Sequence, residues 1–422
     1  MRELLVLGGG TAGTMVVNKL RRRLDPAEWS ITVVDRDDVH HYQPGYLMVP
    51  FGTVEPADLT RSRHAQIADG VRLVTAEVDV VDPDRHEVRL TDGSVLPYEQ
   101  LVIATGTTPH PEETPGVTGA LWRDRIHEFY TLEGATLLRD ALAGFRQGRL
   151  VVHITEMPIK CPVAPLEFAF LAESWLRQHG RRDDVEVVFV TPLSGAFTRP
   201  IASARLGHLL EERRITVETD FVVEQVDEDA SALVSYDGRT VPFDLLVTVP
   251  LNMGADFVGR SGLGDDLNFV PVDPKTLLAR GHDDIFALGD ASDIPTSKAG
   301  SVAHFSVHVF VENFLDHVAG RAMTHEFDGH ANCFVESGDG KALLIDFNYE
   351  VEPLPGRFPV PYVGPLALLK ETRTNHLGKR AFSWVYWNVL LPGRPLPLPA
   401  AMSMSGKHVP ARERGETEGG EG

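Results

Sequence analysis

Glu3-Leu-Leu-Val-Leu-Gly-Gly-Gly-Thr-Ala-Gly13 decides the fold. Leu4 to Leu7 form an unbroken apolar run, the signature of a strand buried on both faces of a parallel sheet. Glycines follow at 8, 10 and 13. Gly8 allows the tight turn, Gly10 lets backbone approach a pyrophosphate, and Gly13 lets helix pack closely on sheet. Thr11 opens that helix, which continues through Met15 to Leu20 and turns its first N–H groups toward phosphate. A second apolar strand, Ile31 to Val34, ends at Asp35, 22 residues past Gly13. That is the spacing of an acid that holds a ribose hydroxyl. Strand, turn, helix, strand and acid together predict a nucleotide-binding unit of an α/β protein.

A second strand–turn–helix–strand pattern starts at about residue 149. Arg149 to Thr155 read as a strand, Leu166 to His179 as a helix and Val185 to Val190 as the next strand. The turn between the first two is Ile154-Thr-Glu-Met-Pro-Ile-Lys-Cys-Pro-Val-Ala-Pro-Leu-Glu167, which has no glycine. Its prolines fix φ, and its other residues carry Cβ atoms that keep backbone away from a pyrophosphate. The following strand ends on Val190-Thr-Pro192, without an acid. The strand–helix–strand fold is expected to persist without a seat for a dinucleotide pyrophosphate. Cys161 stands just before the helix, beside Lys160, where thiolate is favoured, and Glu167 lies one turn further on as a candidate proton carrier.

Composition bounds the rest. The chain has 422 residues, 43% of them hydrophobic, enough for two to three domains with large cores. A net charge of −20 argues against nucleic acid as a partner. Two cysteines, Cys161 and Cys333, do not make a disulfide scaffold and suggest a reducing compartment. The sequence shows no secretory leader and no apolar run long enough to span a bilayer, and no metal site is read from it.

Leu101-Val-Ile-Ala-Thr-Gly106 and Asp284-Ile-Phe-Ala-Leu-Gly-Asp290 are two further strand ends. With the first motif, they resemble the two-dinucleotide-binding flavoproteins. The nicotinamide site that this resemblance implies at the glycine-free turn is expected to be lost. The resemblance implies non-covalent FAD held at Gly8, Gly10, Thr11, Gly13, Asp35, Pro44, Thr105, Gly106, Gly289 and Asp290. Val78, read in a strand Thr75-Ala-Glu-Val-Asp79, would meet the adenine through its backbone. More narrowly, four stretches resemble sulfide:quinone oxidoreductases: His41 to Leu47, Lys160 to Glu167, Thr296 to Phe305 and Gly329 to Phe334. That resemblance implies a Cys161/Cys333 redox pair that carries sulfur, with Glu167 and Lys298 as the other catalytic residues. Lys298 would stabilise negative charge on the reduced flavin. Sulfide is the implied donor and a membrane quinone the acceptor. A third cysteine that many such enzymes carry is missing, and Tyr130 takes its place. Alternatives are a type II NADH:quinone dehydrogenase, which the missing glycines disfavour, the flavoprotein half of a flavocytochrome c sulfide dehydrogenase, and an FAD/thiol redox sensor without turnover.

Residues 351–400 carry six basic residues against two acidic ones, interleaved with Phe382, Trp384, Tyr386 and Trp387. This suits a segment lying on a lipid surface. Phe334 and Phe347 are candidates to line a quinone pocket. The expected organisation is a discontinuous FAD-binding Rossmann domain (1–112 and 245–325) with a second Rossmann-like domain (113–244) inserted. A quinone and membrane-interacting region (326–405) and a disordered tail (406–422) follow. The expected location is peripheral to a membrane, on the cytoplasmic side; the oligomeric state is left open.

Overall fold

The computed structural model describes residues 1–360, 364–396 and 399–409. Two five-stranded parallel sheets form its body; they are arranged alike except at one edge, where the outermost strand, beside the fourth, comes last in sequence in the first sheet and first in sequence in the second. In the first, the order is Val71–Thr75, Trp29–Asp35, Arg2–Leu7, Gln100–Ile103, Ile285–Ala287. In the second it is Thr216–Glu218, Val185–Val190, Gly148–Ile154, Leu245–Val249, Ile126–His127. Arg2–Leu7 is central in the first sheet and Gly148–Ile154 in the second, so the turn that leaves each of these strands opens at the carboxyl edge, where doubly wound sheets bind ligands.

The domain boundary differs from the expected one. Leu245–Val249 pairs with Gly148–Ile154, so the second unit extends past 245. The chain crosses back at Leu251–Met253, which pairs antiparallel with Thr108–His110, the outgoing crossover. Val78 also differs. The parallel strand stops at Thr75, and Val78–Asp82 begins a separate three-stranded antiparallel sheet. The helix of the second unit runs Ala164–Gln178.

The C-terminal region is a four-stranded sheet in the order Ala331–Gly338, Lys341–Phe347, Leu366–Leu368, Gly356–Phe358, followed by the helix Arg373–Val385. Thr372 caps that helix by accepting from the Asn375 N–H. The Ala164–Gln178 helix is buried along most of its length because it is covered by its own sheet on one side and the strand Ala331–Gly338 on the other. This packing brings the two cysteine-bearing segments together. Residues 406–408, expected as loose tail, are tied down: Gly406 accepts from Arg357 N, His408 N donates to Pro355, and Lys407 pairs with buried Asp346. Residues 410–422 of that expected tail lie outside the described residues. No described helix is long and apolar enough to cross a membrane.

Candidate active site

The first glycine turn divides its labour as its spacing predicts. Gly8 takes φ +95°, and a Cβ there would lie 2.5 Å from the Ala104 carbonyl oxygen. A Cβ on Gly13 would lie 1.8 Å from Gly8 O, so helix and turn touch. A Cβ on Gly10 would meet nothing within 4 Å. Open space at Gly10, above the free N–H groups of the Thr11–Arg21 helix, fits a pyrophosphate. The hydroxyls of Thr105 and Thr107 are buried near this turn without a protein hydrogen-bond partner. They and the Gly10 opening fit the FAD cradle that the motifs imply. Gly106 and Gly289, at φ +71° and +64°, make the two neighbouring turns. Asp290 follows in a short 3-10 turn, and Pro44 is exposed in another.

Two residues that the sequence does not single out, Arg63 and His40, pack round this cradle together with Tyr386. Arg63 pairs with Asp35 at 3.0 Å, while Asp35 also accepts from Gly9 N. Burial raises the Asp35 pKa despite this cation. His40 is buried against the Gly9 carbonyl, and its Nε2 lies 2.8 Å from Tyr386 Oη. That oxygen is also 2.8 Å from Thr11 Oγ1. The Thr11 hydroxyl is thus occupied, and Thr11 has its backbone N–H to offer phosphate. Tyr386 and Trp387, expected at a lipid surface, are core residues here, packed on Tyr42 and His40.

The second turn is built for a thiol. Cys161 holds φ +51°, a left-handed conformation costly for a residue with a Cβ. Two bonds hold it there: its N–H donates to Lys298 O at 2.6 Å, and its carbonyl accepts from Ala164 N at 2.8 Å. Tyr130 Oη reaches the same carbonyl at 3.4 Å. Lys298 also serves the other direction. Its buried Nζ donates to the carbonyls of Asp290 and Ser292 and lies over the Phe269 ring. Burial lowers its pKa to about 8. One segment therefore joins the thiol turn to the Gly289-Asp290 turn.

Cys333 comes from the strand Ala331–Gly338, and both cysteines are free thiols. Their environment differs from the one read from sequence. Burial pushes the Cys161 thiol up strongly and Cys333 up to about 12. Lys160 does not offset this, since its Nζ donates to Gln43 Oε1 at 3.1 Å. The cation that favours both thiolates is Lys379, from the C-terminal helix. Lys379 pairs with Glu167 Oε1, which also accepts from Glu336 N at 2.6 Å. Burial raises the Glu167 pKa, although Lys379 and the Glu336 N–H oppose it. Beyond Glu167 lies a second buried carboxylate, Glu336, bonded to His376. A donor–acceptor cluster beside two thiols can move protons as sulfur changes charge.

The structure does not bring Phe334 and Phe347 together. Phe347 pairs with Ala331, and Phe334 with Leu344. Residues 331 and 334 differ by an odd number, so the two rings lie on opposite faces of the sheet. Phe334 meets Gly378 of the C-terminal helix, and Arg199 covers Phe347. Among the described residues, no cluster of three or more His, Cys, Asp or Glu could hold a metal ion.

Comparison with known proteins agrees with this layout. The family model described as pyridine nucleotide-disulphide oxidoreductase matches residues 2–153. The mitochondrial sulfide:quinone oxidoreductase of Mus musculus is 27% identical over 93% of this chain and 86% of its own. That of Schizosaccharomyces pombe is 28% identical over 92% and 89%. The crystal structure of the sulfide:quinone oxidoreductase from Aquifex aeolicus superposes with a TM-score of 0.78, at 19% identity, over 93% of this chain and 92% of that one. The resemblance read from four short stretches thus extends along nearly the whole chain.

Proposed function

We propose that this protein is an FAD-dependent sulfide:quinone oxidoreductase that works through Cys161 and Cys333. The observation that carries the reading is the convergence of these two cysteines, 172 positions apart, on one buried cluster with Glu167 and Lys379. The names and coverage of the relatives support it, and so does the glycine-free turn at Cys161.

HS⁻ cleaves a Cys161–Cys333 disulfide, leaving a persulfide on one sulfur and a thiolate on the other. Lys379 stabilises the thiolate, and Glu167 takes the proton that the persulfide sheds. FAD held at the Gly8–Gly13 turn would supply the two-electron acceptor between sulfur and quinone. Lys298 donates to the carbonyls of Asp290 and Ser292, and its positive charge would favour negative charge on a cofactor at the Gly289-Asp290 turn. The exposed face of the C-terminal helix, with Leu377 and Trp384 beside Arg373 and Arg380, rests on a lipid surface where quinone is found.

Anaerobic stopped-flow absorbance of the FAD-loaded protein tests this. Sulfide bleaches the flavin in wild type and fails to do so in Cys161→Ala and Cys333→Ala. Rapid bleaching by NADH, with none by sulfide, would refute the proposal.

A further inference from the structure

Oxidation of HS⁻ to sulfane sulfur releases one proton with two electrons, and this site is buried. The proton needs a route out. Glu336 stands three residues beyond Cys333 and is 2% exposed. A carboxylate that deep is costly unless partnered. Its side-chain partner is His376, whose Nδ1 lies 2.9 Å from each carboxylate oxygen. The His376 side chain is 26% exposed, so it meets solvent on its far side. Inward, the Glu336 N–H donates to the same Glu167 oxygen that holds Lys379. His376 and Lys379 are one helical turn apart and so share a face. From the thiols outward the order is Glu167 with Lys379, then Glu336, then His376, then solvent.

Resting on the sulfide reading above, we propose that Glu336 and His376 form the solvent end of a proton path serving the Glu167–Lys379 pair. Attack of HS⁻ on the disulfide gives Cys–S–SH and Cys–S⁻, conserving atoms and charge. The persulfide proton passes to Glu167 and leaves by this path. Cys–S–S⁻ and Cys–S⁻ then join as a trisulfide, a two-electron oxidation for which FAD held at the Gly8–Gly13 turn would be the acceptor and quinone the final oxidant. Several groups face Glu167: Lys379, Glu336, both thiols, and the phenols of Tyr42 and Tyr130. The negative charge of Glu336 raises the proton affinity of Glu167 and of Lys379, which keeps a proton available between them. Glu336 and His376 do not touch sulfur; they act through the inner pair.

The test is a single-turnover reaction of the FAD-loaded protein with sulfide, followed by flavin absorbance and a pH-indicator dye across a series of buffered pH values. His376→Ala is expected to slow proton release about tenfold or more at neutral pH and to change the pH profile. Added imidazole is expected to restore the rate in His376→Ala but not in Glu336→Gln, which keeps its backbone N–H to Glu167 but loses the carboxylate that relays the proton. His376→Gln, which keeps a hydrogen bond to Glu336 but cannot carry the proton, is expected to remain slow. Wild-type rate and profile in His376→Ala would overturn the path alone. So would a slow but stable, FAD-replete His376→Ala that imidazole does not rescue. A wild type that sulfide does not reduce overturns both the path and the sulfide reading.

Discussion

Lys379 and Glu167 form a buried ion pair between the C-terminal helix and the helix that follows Cys161. Removing one partner leaves the other charge uncompensated. Lys379→Met is expected to cost about 3–5 kcal/mol of unfolding free energy. Adding Glu167→Gln removes the stranded carboxylate and should recover most of the loss. Urea unfolding of the two single variants and the double variant reads the coupling directly. A double variant as unstable as the sum of the singles would mean that the pair is not coupled.

The same cation governs the thiols. Both are pushed above the ordinary cysteine range, so at neutral pH they are protonated in the reduced protein. Iodoacetamide should label the folded protein slowly at pH 7 and faster as the medium becomes alkaline. Lys379→Met takes away a stabiliser of thiolate, so the alkaline rise should begin at higher pH. Mass spectrometry of the Cys161 peptide measures this without requiring FAD. A rise at lower pH than wild type would mean that Lys379 is not the cation the thiols feel.

Gly10 and Gly13 separate cofactor binding from folding. Gly13→Ala drives a Cβ into the Gly8 carbonyl, a backbone atom that cannot step aside, so the variant should lose stability or fail to accumulate. Gly10→Val has room in the protein itself and should fold with a melting temperature near that of wild type without FAD. Its branched side chain fills the space proposed for pyrophosphate, so it should bind FAD at least tenfold more weakly. Thermal unfolding and flavin content on the same samples check both. Retained FAD in Gly10→Val would move the pyrophosphate elsewhere.

What was legible in the sequence was local. The glycine spacing encodes one turn, and one turn implied the sheet around it. The missing glycines between 155 and 163 were equally readable, because a Cβ or a proline acts on its own backbone. Contacts across elements left less trace. Glu167 and Lys379 are 212 residues apart, and nothing in either helix names its partner. Helical spacing puts His376 and Lys379 on one face; it does not say that Glu336 lies opposite. Phe334 and Phe347 depended on hairpin register, where one residue changes the face. Tyr386 and Trp387 differ from Trp384 only in which side of one short helical stretch they occupy, so composition gave all three the same reading. Here the core claimed two of them and left Trp384 65% exposed.

Acid should act on the cofactor turn through His40. Burial, and secondarily Arg63, lowers its pKa from 6.5 to about 3. The folded state therefore binds fewer protons than the unfolded state between these values. Its contribution is complete above about pH 6.5 and is lost as pH falls toward 3, at about 1.4 kcal/mol per pH unit for one group. His40→Gln removes the titrating group, so its stability should fall less steeply over that window, by about one proton. Urea midpoints at pH 7, 6, 5 and 4 give the slope. Parallel slopes for wild type and variant would show that His40 does not resist protonation in the fold.

Trp384 and Leu377 provide the last prediction. They lie seven residues apart, two turns along one face, and are 65% and 62% exposed. Arg373 and Arg380 are exposed on the same helix. Burying each apolar side chain in a lipid interface contributes up to about 1.5–3 kcal/mol, and each arginine adds about 1 kcal/mol on an anionic surface. Leu377→Ser with Trp384→Ser should therefore weaken cosedimentation with anionic vesicles at least tenfold. Replacing both arginines should weaken it on anionic but not on neutral vesicles. The inner face, which holds Lys379 and Tyr386, is untouched by these changes. Flavin bleaching by sulfide and turnover with a water-soluble quinone should therefore stay at wild-type rates, while turnover with a long-chain quinone in vesicles falls. Unchanged vesicle binding in the Leu377/Trp384 variant would mean that this face meets something other than lipid.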